Sequence, residues 1–310
     1  MTAELTHLIA AETAQEIPVP VRDFAARLAA DAKGAVTAVL FYGSNLRTLS
    51  LDGVLDFYVL VEEIGAWPQR RLAKLANRLL PPNVEYREYL TGTLRLCAKV
   101  AVMTPSQFAA ATRFRSLDTT IWARFSQPVA IAWTRDAVAK TNTIALLTGA
   151  VATAARWAAY LGPGHGEPAA YWRALYAATY TTELRVERSV RSDEIVRHAA
   201  DRYVRLLEPA WRAAGVDFLK EAGELRPRIV AEERKQAQRL WALRRAAGKP
   251  LNIARLVKAA STFKGGADYL AWKAERHTQI PIDLTPWQKR HPILAAPRIL
   301  WRLWRQGALR

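Results

Sequence analysis

The sequence predicts a mixed α+β fold, and three observations support this prediction. Short apolar runs alternate with segments of helical periodicity over residues 1–135. From residue 136 to residue 283 the pattern is helical almost throughout. Residues 284–310 are basic and amphipathic. The chain is therefore predicted to contain an α/β domain, a helical domain and a basic C-terminal tail with those boundaries.

Composition limits the class of protein. The 310 residues are 51% apolar, which is enough for a sizeable core. Lys and Arg outnumber Asp and Glu by 45 to 28, and the net charge of +17 favours a polyanionic partner such as nucleic acid, an anionic membrane or a phosphorylated substrate. The single cysteine, Cys97, excludes a disulfide framework, and the five histidines lack metal-ligand spacing. With no signal-peptide pattern and no run of about 18 uninterrupted apolar residues, a soluble or peripheral protein is expected.

In the first part, the periodicity predicts alternating helices and strands. The helices are placed at residues 21–32 and 69–80, and the second ends at Pro81-Pro82. The strands are placed at residues 35–41, 54–61, 84–90 and 93–102. These segments predict one small α/β unit.

The second part is predicted as a series of helices, at residues 137–160, 171–186, 193–214, 228–247, 252–258 and 268–276. The Gly/Pro-rich segment 161–168 lacks a Gly-Lys-Ser/Thr ending, and its prolines remove amide donors. It is therefore predicted to connect two helices rather than to bind phosphate.

The most informative motif joins two predicted strands. Tyr42-Gly43-Ser44 follows the first of them, and Asp56 lies within the next apolar run. Gly43 allows the backbone to approach a phosphate, and Ser44 can donate a hydrogen bond to it. A carboxylate on the neighbouring strand can hold Mg²⁺ against the same triphosphate. The motif is typical of nucleotidyl transfer, although a Gly-Ser turn beside one hydrogen-bonded aspartate would explain it about as well.

A second carboxylate is less clearly marked. Two acids one residue apart are usual at such a site, but Val54 occupies the other position. Asp52 could reach the metal from the loop, or it could be a turn residue ahead of Gly53, which is slightly favoured. A distant residue could also supply the second ligand.

These motifs resemble those of the mitochondrial phosphatidate cytidylyltransferases, the translocator assembly and maintenance family, and the chain looks like a divergent bacterial relative. The resemblance covers most of the chain in the same order. It rests on Tyr42-Gly43-Ser44, Asp56-Phe57, Leu96-Cys97-Ala98-Lys99-Val100, Ala123-Arg124-Phe125-Ser126-Gln127-Pro128-Val129, Ala178-Thr179-Tyr180-Thr181-Thr182-Glu183-Leu184-Arg185 and Leu256-Val257-Lys258-Ala259-Ala260-Ser261.

The resemblance implies a nucleotidyltransferase-like domain, a winged-helix-like helical domain and a membrane-binding C-terminal helix. It also implies Mg²⁺ as cofactor, and CTP and phosphatidate as substrates. Site roles are assigned as follows: Asp56 and Lys99 catalytic; Tyr42, Gly43 and Ser44 nucleotide-binding; Asp56 and Asp52 metal-binding; Arg185, Lys258 and Lys264 lipid-phosphate-binding.

Several of these residues have a plain alternative. Lys99 could equally extend its ammonium group to the surface. Arg185 could form a helix salt bridge with Glu183. Lys258 and Lys264 could be solvated charges on a helix surface.

The tail has the composition of an interfacial helix. After Asp283 it contains no acidic residue. Apolar and basic side chains fall on different sides, and the residues predicted to contact a membrane are Ile299, Trp301, Arg302, Leu303, Trp304 and Arg305. Alternatively, the two tryptophans could dock the helix onto the protein itself.

Three functions follow from these observations. The first is transfer of CMP from CTP to phosphatidate by a cytoplasmic protein attached peripherally to the inner face of the cell membrane. The second is nucleotidyl transfer to another acceptor, such as an isoprenoid phosphate or an RNA end. The third is a non-catalytic basic protein that binds membrane or nucleic acid. Nucleic-acid binding is not expected, because the sequence lacks a helix-turn-helix signature and a strand pattern of stacking aromatics.

Overall fold

A computed structural model describes residues 2–182, 190–262 and 283–290 of the chain. Its elements, in chain order, are α1 (Ala3–Thr13), α2 (Val19–Ala30), β1 (Val36–Tyr42), α3 (Ser44–Thr48), β2 (Val54–Val61), a 3₁₀ turn (Ile64–Ala66), α4 (Arg71–Leu79), β3 (Asn83–Thr91), β4 (Leu94–Met103), α5 (Pro105–Ala111), α6 (Thr120–Phe125), β5 (Val129–Thr134), α7 (Ala137–Leu161), α8 (Pro168–Thr182), α9 (Val190–Arg197), α10 (Ala200–Ala213), β6 (Phe218–Glu221), β7 (Glu224–Pro227), α11 (Ala231–Thr262) and α12 (Pro286–Arg290).

Five strands form one mixed sheet in the order β3-β4-β2-β1-β5. Strands β2 and β4 are parallel, and the other neighbouring pairs are antiparallel. Strands β6 and β7 form a separate antiparallel hairpin. The predicted mixed α+β class is confirmed.

The two faces of the sheet pack against different helices, because successive side chains of a strand point to opposite faces. On one face, Phe41, Phe57 and Val100 join Phe24 and Leu28 of α2 in a buried cluster. On the other face, the buried residues Leu40, Leu60 and Met103 belong to a larger cluster that includes helices α1, α6, α7, α8 and α10. The second face carries the candidate site.

Helix α7 is part of this larger cluster. The Asp136 carboxylate caps its first turn by accepting a hydrogen bond from the Ala139 amide at 2.7 Å. Among the described residues it is the one helix long and apolar enough to cross a membrane, but 61% of that apolar window is buried inside the protein. The core therefore continues across the predicted boundary between residues 135 and 136.

Helix α11 is fixed by a buried arginine. Arg244 donates from Nε to the Ser116 carbonyl at 2.7 Å, and its guanidinium lies 4.0 Å from the centroid of the Trp157 ring. Burial lowers the pKa of Arg244 to about 10. These contacts hold α11 against α7, and α11 brings further cations to the site.

Some predicted elements differ from the observed ones. The helix predicted at 193–214 is two helices with a break at His198-Ala199, and the helices predicted at 228–247 and 252–258 are one helix that continues through Pro250. Strands β5, β6 and β7 were not predicted. Segment 161–168 does connect two helices, as expected, and the helix predicted at 268–276 lies outside the described residues.

Candidate functional site

Strand register brings the predicted site residues together. Tyr42 pairs with Asp56 across β1 and β2, and Asp56 pairs with Lys99 across β2 and β4. Residues opposite each other on neighbouring strands share one face of a sheet. The three side chains therefore form a polar row on the face that is otherwise covered by the larger core cluster.

Gly43 is required at its position for two reasons. Its φ of 91° lies in the region that side-chain-bearing residues rarely adopt. A Cβ atom at this position would also lie 2.9 Å from Oδ2 of Asp56. The backbone of the Gly-Ser turn therefore lies close to the Asp56 carboxylate.

The loop after the Gly-Ser turn is held by Asn45. Its buried amide donates to the carbonyls of Ser50 and Asp52, at 2.9 and 2.8 Å. The side chain of Asp52 is exposed in the turn before Gly53 and does not line the cavity described below. This position favours the turn role of Asp52 over the metal-binding role.

Asp56 is a carboxylate in a strongly cationic environment. Burial raises its pKa above the ordinary value, and the positive charges of Lys99, Arg124 and Arg47 oppose that increase. Burial of a lone carboxylate favours its neutral form, whereas an approaching cation would favour the charged form. Asp56 is therefore suited to bind a cation that arrives together with a ligand.

One side of Asp56 opens into a cavity of about 260 Å³, here called the Gly-Ser lobe. It is lined by the Gly-Ser turn and by residues of α6, α8 and α9. The lining residues are Tyr42, Gly43, Ser44, Arg47, Asp56, Thr120, Ala123, Arg124, Gln127, Tyr176, Thr179, Tyr180 and Ile195.

The other side opens into a second cavity of about 310 Å³, here called the Lys lobe. Its floor is formed by strands β2, β3 and β4, and its far wall is α11. The lining residues are Tyr42, Asp56, Tyr58, Pro82, Val84, Lys99, Ala101, Thr120, Arg124, Asn252, Arg255 and Lys258. The junction between the lobes is marked by the four residues that line both of them, Tyr42, Asp56, Thr120 and Arg124.

Arg124 is held at this junction by two tyrosines. Its Nη1 donates to the Tyr58 hydroxyl at 3.3 Å. Its guanidinium lies 5.4 Å from the Tyr42 ring centroid and 5.9 Å from that of Tyr58. These contacts orient a permanent positive charge toward the space beside Asp56.

In the Lys lobe, the cations of α11 are positioned by polar contacts. Arg255 forms an ion pair with Asp118, and Nη1 donates to Oδ1 at 3.1 Å. Asp118 also accepts a hydrogen bond from the Thr120 amide at 2.9 Å. Lys258 donates to the carbonyls of Leu80 and Pro82.

Burial is the main cause of a lowered lysine pKa in this lobe. It lowers the pKa of Lys258 to about 8, and the neighbouring charge of Arg255 acts in the same direction. The two side chains therefore share a place where a bound anion would relieve their mutual repulsion.

The structure thus brings together six of the predicted site residues: Tyr42, Gly43, Ser44, Asp56, Lys99 and Lys258. Half-buried Lys99 lines the Lys lobe. Asp52 is described but lies outside both lobes, and the other predicted site residues lie outside the described residues, namely Arg185, Lys264, Ile299, Trp301, Arg302, Leu303, Trp304 and Arg305.

Sequence reasoning gave no role to Arg47, Arg124, Arg255 or Asp118. Arg124 lies in one of the segments that carried the family resemblance, which is the signal that could have identified it. Arg255 and Asp118 are 137 residues apart, and no local pattern predicts their ion pair.

The donor set bears on Mg²⁺. In the described ranges, no group of three or more His, Cys, Asp or Glu side chains is arranged to hold a metal ion. Among the described residues that line the two lobes, Asp56 is the one carboxylate. Because Mg²⁺ is commonly held by one or two carboxylates together with substrate phosphates, these residues fit an ion that binds with a triphosphate.

Comparison of the chain with protein-family models and with curated proteins gave no match. The function proposed below therefore rests on the residues of the site and on the motifs that carry the resemblance.

Proposed function

We propose that this protein is an Mg²⁺-dependent nucleotidyltransferase that transfers CMP from CTP to phosphatidate at the inner face of the cell membrane, giving CDP-diacylglycerol and pyrophosphate. One observation carries the proposal: segments that are far apart in the sequence, and that each contribute to the family resemblance, line the same two-lobed cavity. These segments contribute Tyr42, Gly43, Ser44, Asp56, Lys99, Ala123, Arg124, Gln127, Thr179, Tyr180 and Lys258.

The two lobes suit two different phosphorylated ligands. In the Gly-Ser lobe, the backbone of Gly43 and the charge of Arg47 favour an extended triphosphate. In the Lys lobe, the charges of Lys99, Arg255 and Lys258 favour a compact phosphate group. We assign CTP to the first and the acceptor phosphate to the second.

The reaction would take place at the junction. An oxygen of the acceptor phosphate attacks the α-phosphorus of CTP, and the bond to the bridging oxygen of pyrophosphate breaks. The acceptor is a phosphate monoester, which is largely ionised near neutral pH, so no residue needs to remove a proton from it. Arg124 and Lys99 stabilise the charge that develops on the transferring phosphoryl group.

Asp56 would hold Mg²⁺ against the triphosphate, where the ion supplies charge compensation for the phosphoryl oxygens. Tyr42 and Tyr58 keep Arg124 in place, and Asp118 keeps Arg255 in place. The chain itself would mainly position the two ligands for in-line transfer.

The finer fold assignments belong to this proposal. A Gly-Ser turn beside a strand carboxylate supports a nucleotidyltransferase-like domain. Helices α8 to α10 followed by the β6–β7 hairpin support a winged-helix-like second unit. The predicted division into three parts stays a prediction.

The direct test is incubation of the protein with Mg²⁺ and each labelled nucleoside triphosphate, with and without vesicles containing phosphatidate. We expect CTP to be used in preference to the others, and only with phosphatidate, with lipid product and pyrophosphate formed in equal amounts. Equal use of all four nucleotides, or product formation on RNA or on an isoprenoid phosphate without phosphatidate, would instead indicate another acceptor.

A second candidate function is favoured because Asp56 is the one carboxylate among the described residues that line the two lobes. A site with one carboxylate and several cations suits a protein that binds polyanions without catalysis. CTP binding with no pyrophosphate release under any acceptor condition would support this second function.

A further inference from the structure

Helix α4 exposes its leucines to solvent. The exposed fractions of Leu72, Leu75 and Leu79 are 80%, 53% and 78%. Because these residues are spaced by three and four positions, they form one stripe along the helix. The stripe is the outer surface of a helix that belongs to the folded domain.

The side of α4 that faces the protein is anchored without the leucines. Ala73 and buried Asn77 face the protein, and the Asn77 amide donates to the Val102 carbonyl at 2.8 Å. The Asn83 amide donates to the Ala73 carbonyl at 2.7 Å. Hydrogen bonds and small side chains therefore anchor the helix, and the leucine stripe is available for another contact.

Basic residues flank the stripe. Arg70, Arg71 and Arg78 are exposed, and Lys74 donates to the Gly65 carbonyl. The sequence has no acidic residue between Glu63 and Glu85. The surface thus combines a projecting apolar stripe with basic residues and no acidic ones.

We propose that the leucine stripe of α4 docks on an anionic phospholipid bilayer. The leucines would enter the boundary between headgroups and acyl chains, and the flanking arginines would contact lipid phosphates. This contact is separate from the one predicted for the C-terminal tail.

The charge pattern favours a bilayer over a second copy of this chain. Two α4 helices packed stripe to stripe would bring two sets of arginines close together, with no acidic residue in this segment to neutralise them. A helix of nine residues is also too small to provide the roughly 1,200 Å² or more that a stable protein interface usually buries.

The stripe lies next to the Lys lobe. Helix α4 ends at Leu79, and Pro82, three residues later, lines that lobe. Lys258 of the same lobe binds the carbonyls of Leu80 and Pro82. Docking would place the Lys lobe beside the bilayer, and the use of this arrangement to receive a lipid phosphate rests on the proposed function.

An environment-sensitive fluorophore tests the docking in the full chain. The probe would be attached to Leu75→Cys, with Val138→Cys as the control, because Val138 is 70% exposed on a different helix and native Cys97 is buried. Vesicles of phosphatidylcholine and phosphatidylglycerol should shift the emission of the α4 probe to shorter wavelength and leave the control unchanged. Pure phosphatidylcholine should have a smaller effect.

A triple variant tests the contribution of the stripe. Leu72→Ser, Leu75→Ser and Leu79→Ser together should lower partitioning onto the anionic vesicles by about fivefold or more. The matched control carries Leu90→Ser, Val138→Ser and Leu243→Ser, which are also exposed positions. Both variants should keep the wild-type melting temperature.

Two results would overturn the docking proposal. One is a protein that floats with the vesicles while the probe at position 75 shows no shift. The other is a shift without vesicles accompanied by a doubled molecular mass, which would assign the stripe to a second copy. The triple variant should have normal activity on a water-soluble short-chain phosphatidate. If the wild-type protein itself had no activity, the proposed function would be overturned, but the vesicle result would remain valid.

Discussion

The Gly-Ser lobe and the Lys lobe meet at Asp56 but are built in different ways. One part of the lining of the Gly-Ser lobe comes from one stretch of chain between Tyr42 and Asp56, where a strand, a turn and the next strand follow each other. The Lys lobe combines Lys99 on β4 with Arg255 and Lys258 on α11, more than 150 residues later in the sequence. The first lobe is defined by local backbone geometry, and the second by charges that tertiary packing brings together.

This difference has a chemical consequence. In the Gly-Ser lobe the backbone comes close to the Asp56 carboxylate, which suits a ligand that brings its own cation. In the Lys lobe the side chains are cationic and partly compensated by Asp118, which suits an anion without a cation. The predictions below change one lobe or the junction at a time.

The largest effect is expected at the junction. Asp56→Asn keeps the shape but removes the charge, and turnover with CTP should fall by about 100-fold or more, as for other groups that stabilise charge at a reacting centre. Folding should survive, because burial already disfavours the charged carboxylate. The effect is measured as the rate of pyrophosphate release. The control is Asp52→Asn at the exposed turn, which should keep near-normal activity. If Asp56→Asn also kept near-normal activity, Asp56 would not belong to the site.

The next effect concerns the turn of the Gly-Ser lobe. Gly43→Ala adds a Cβ atom 2.9 Å from the Asp56 carboxylate at a φ of 91°. We expect CTP affinity to fall about tenfold and unfolding free energy to fall by about 1–3 kcal/mol. Calorimetric titration and thermal unfolding provide the two measurements.

Gly34→Ala is the matched control for this change. Gly34 has a φ of 90°, but a Cβ atom added there would meet no other atom within 4 Å, so the substitution adds the backbone strain without the contact. It should lower stability by about 1 kcal/mol and leave CTP affinity unchanged. Equal loss of CTP affinity in both variants would show that the approach to Asp56 is unimportant.

The features that the sequence predicts, and those that it misses, divide in the same way as the two lobes. Strands β1 to β4 and the row from Tyr42 to Asp56 were predicted, because apolar alternation and a Gly-Ser turn are local signals. The role of Arg255 was not predicted, because its position depends on how α11 packs against the rest of the domain. The Asp118–Arg255 ion pair joins positions 137 residues apart, which periodicity does not reveal.

The errors in the helical part have local causes. The predicted gap between residues 247 and 252 contains Pro250, a residue that lacks an amide donor, but α11 continues through it. The β6–β7 hairpin has an Ala222-Gly223 turn, and both residues have positive φ, rather than the Asn-Gly or Asp-Gly pair that marks such turns in a sequence. At both places the local sequence signal was weak or misleading.

A moderate effect is expected from pH in the Lys lobe. The pKa of Lys258 is about 8, so its positive charge is present below that pH and lost as the pH rises through it. Affinity for short-chain phosphatidate should fall as the pH rises from 7 to 9, with a midpoint above 8 because a bound anion favours the protonated lysine. The pKa of Arg255 is raised and that of Asp118 is lowered by their mutual ion pair, so neither group should contribute a step in this range.

The same lysine should affect stability in the opposite direction. Its pKa in the folded protein lies below the ordinary value of about 10.4, so between pH 8 and 10.4 the unfolded chain binds more protons than the folded one. The contribution of Lys258 to the unfolding free energy therefore rises with pH in that window. Lys258→Gln should remove both the affinity step and the stability increase, and a wild-type affinity that is constant up to pH 9 would contradict the role of Lys258.

The smallest effect is expected for Ser44→Ala. One neutral hydrogen bond contributes about 0.5–1.5 kcal/mol, so the KM for CTP should rise by no more than about tenfold. Ser44 is exposed, and the variant should fold normally. A loss as large as that of Asp56→Asn, measured in the same steady-state assay, would mean that the hydroxyl itself takes part in the reaction.

The most direct test of the two-lobe account is to measure the affinities for CTP and for short-chain phosphatidate separately in two charge variants. Arg47→Gln changes the Gly-Ser lobe, and Lys258→Gln changes the Lys lobe. The account predicts that Arg47→Gln weakens CTP binding about tenfold and leaves phosphatidate binding unchanged, whereas Lys258→Gln does the reverse. Equal weakening of both ligands by both variants would contradict it, because that result indicates one continuous anion-binding site.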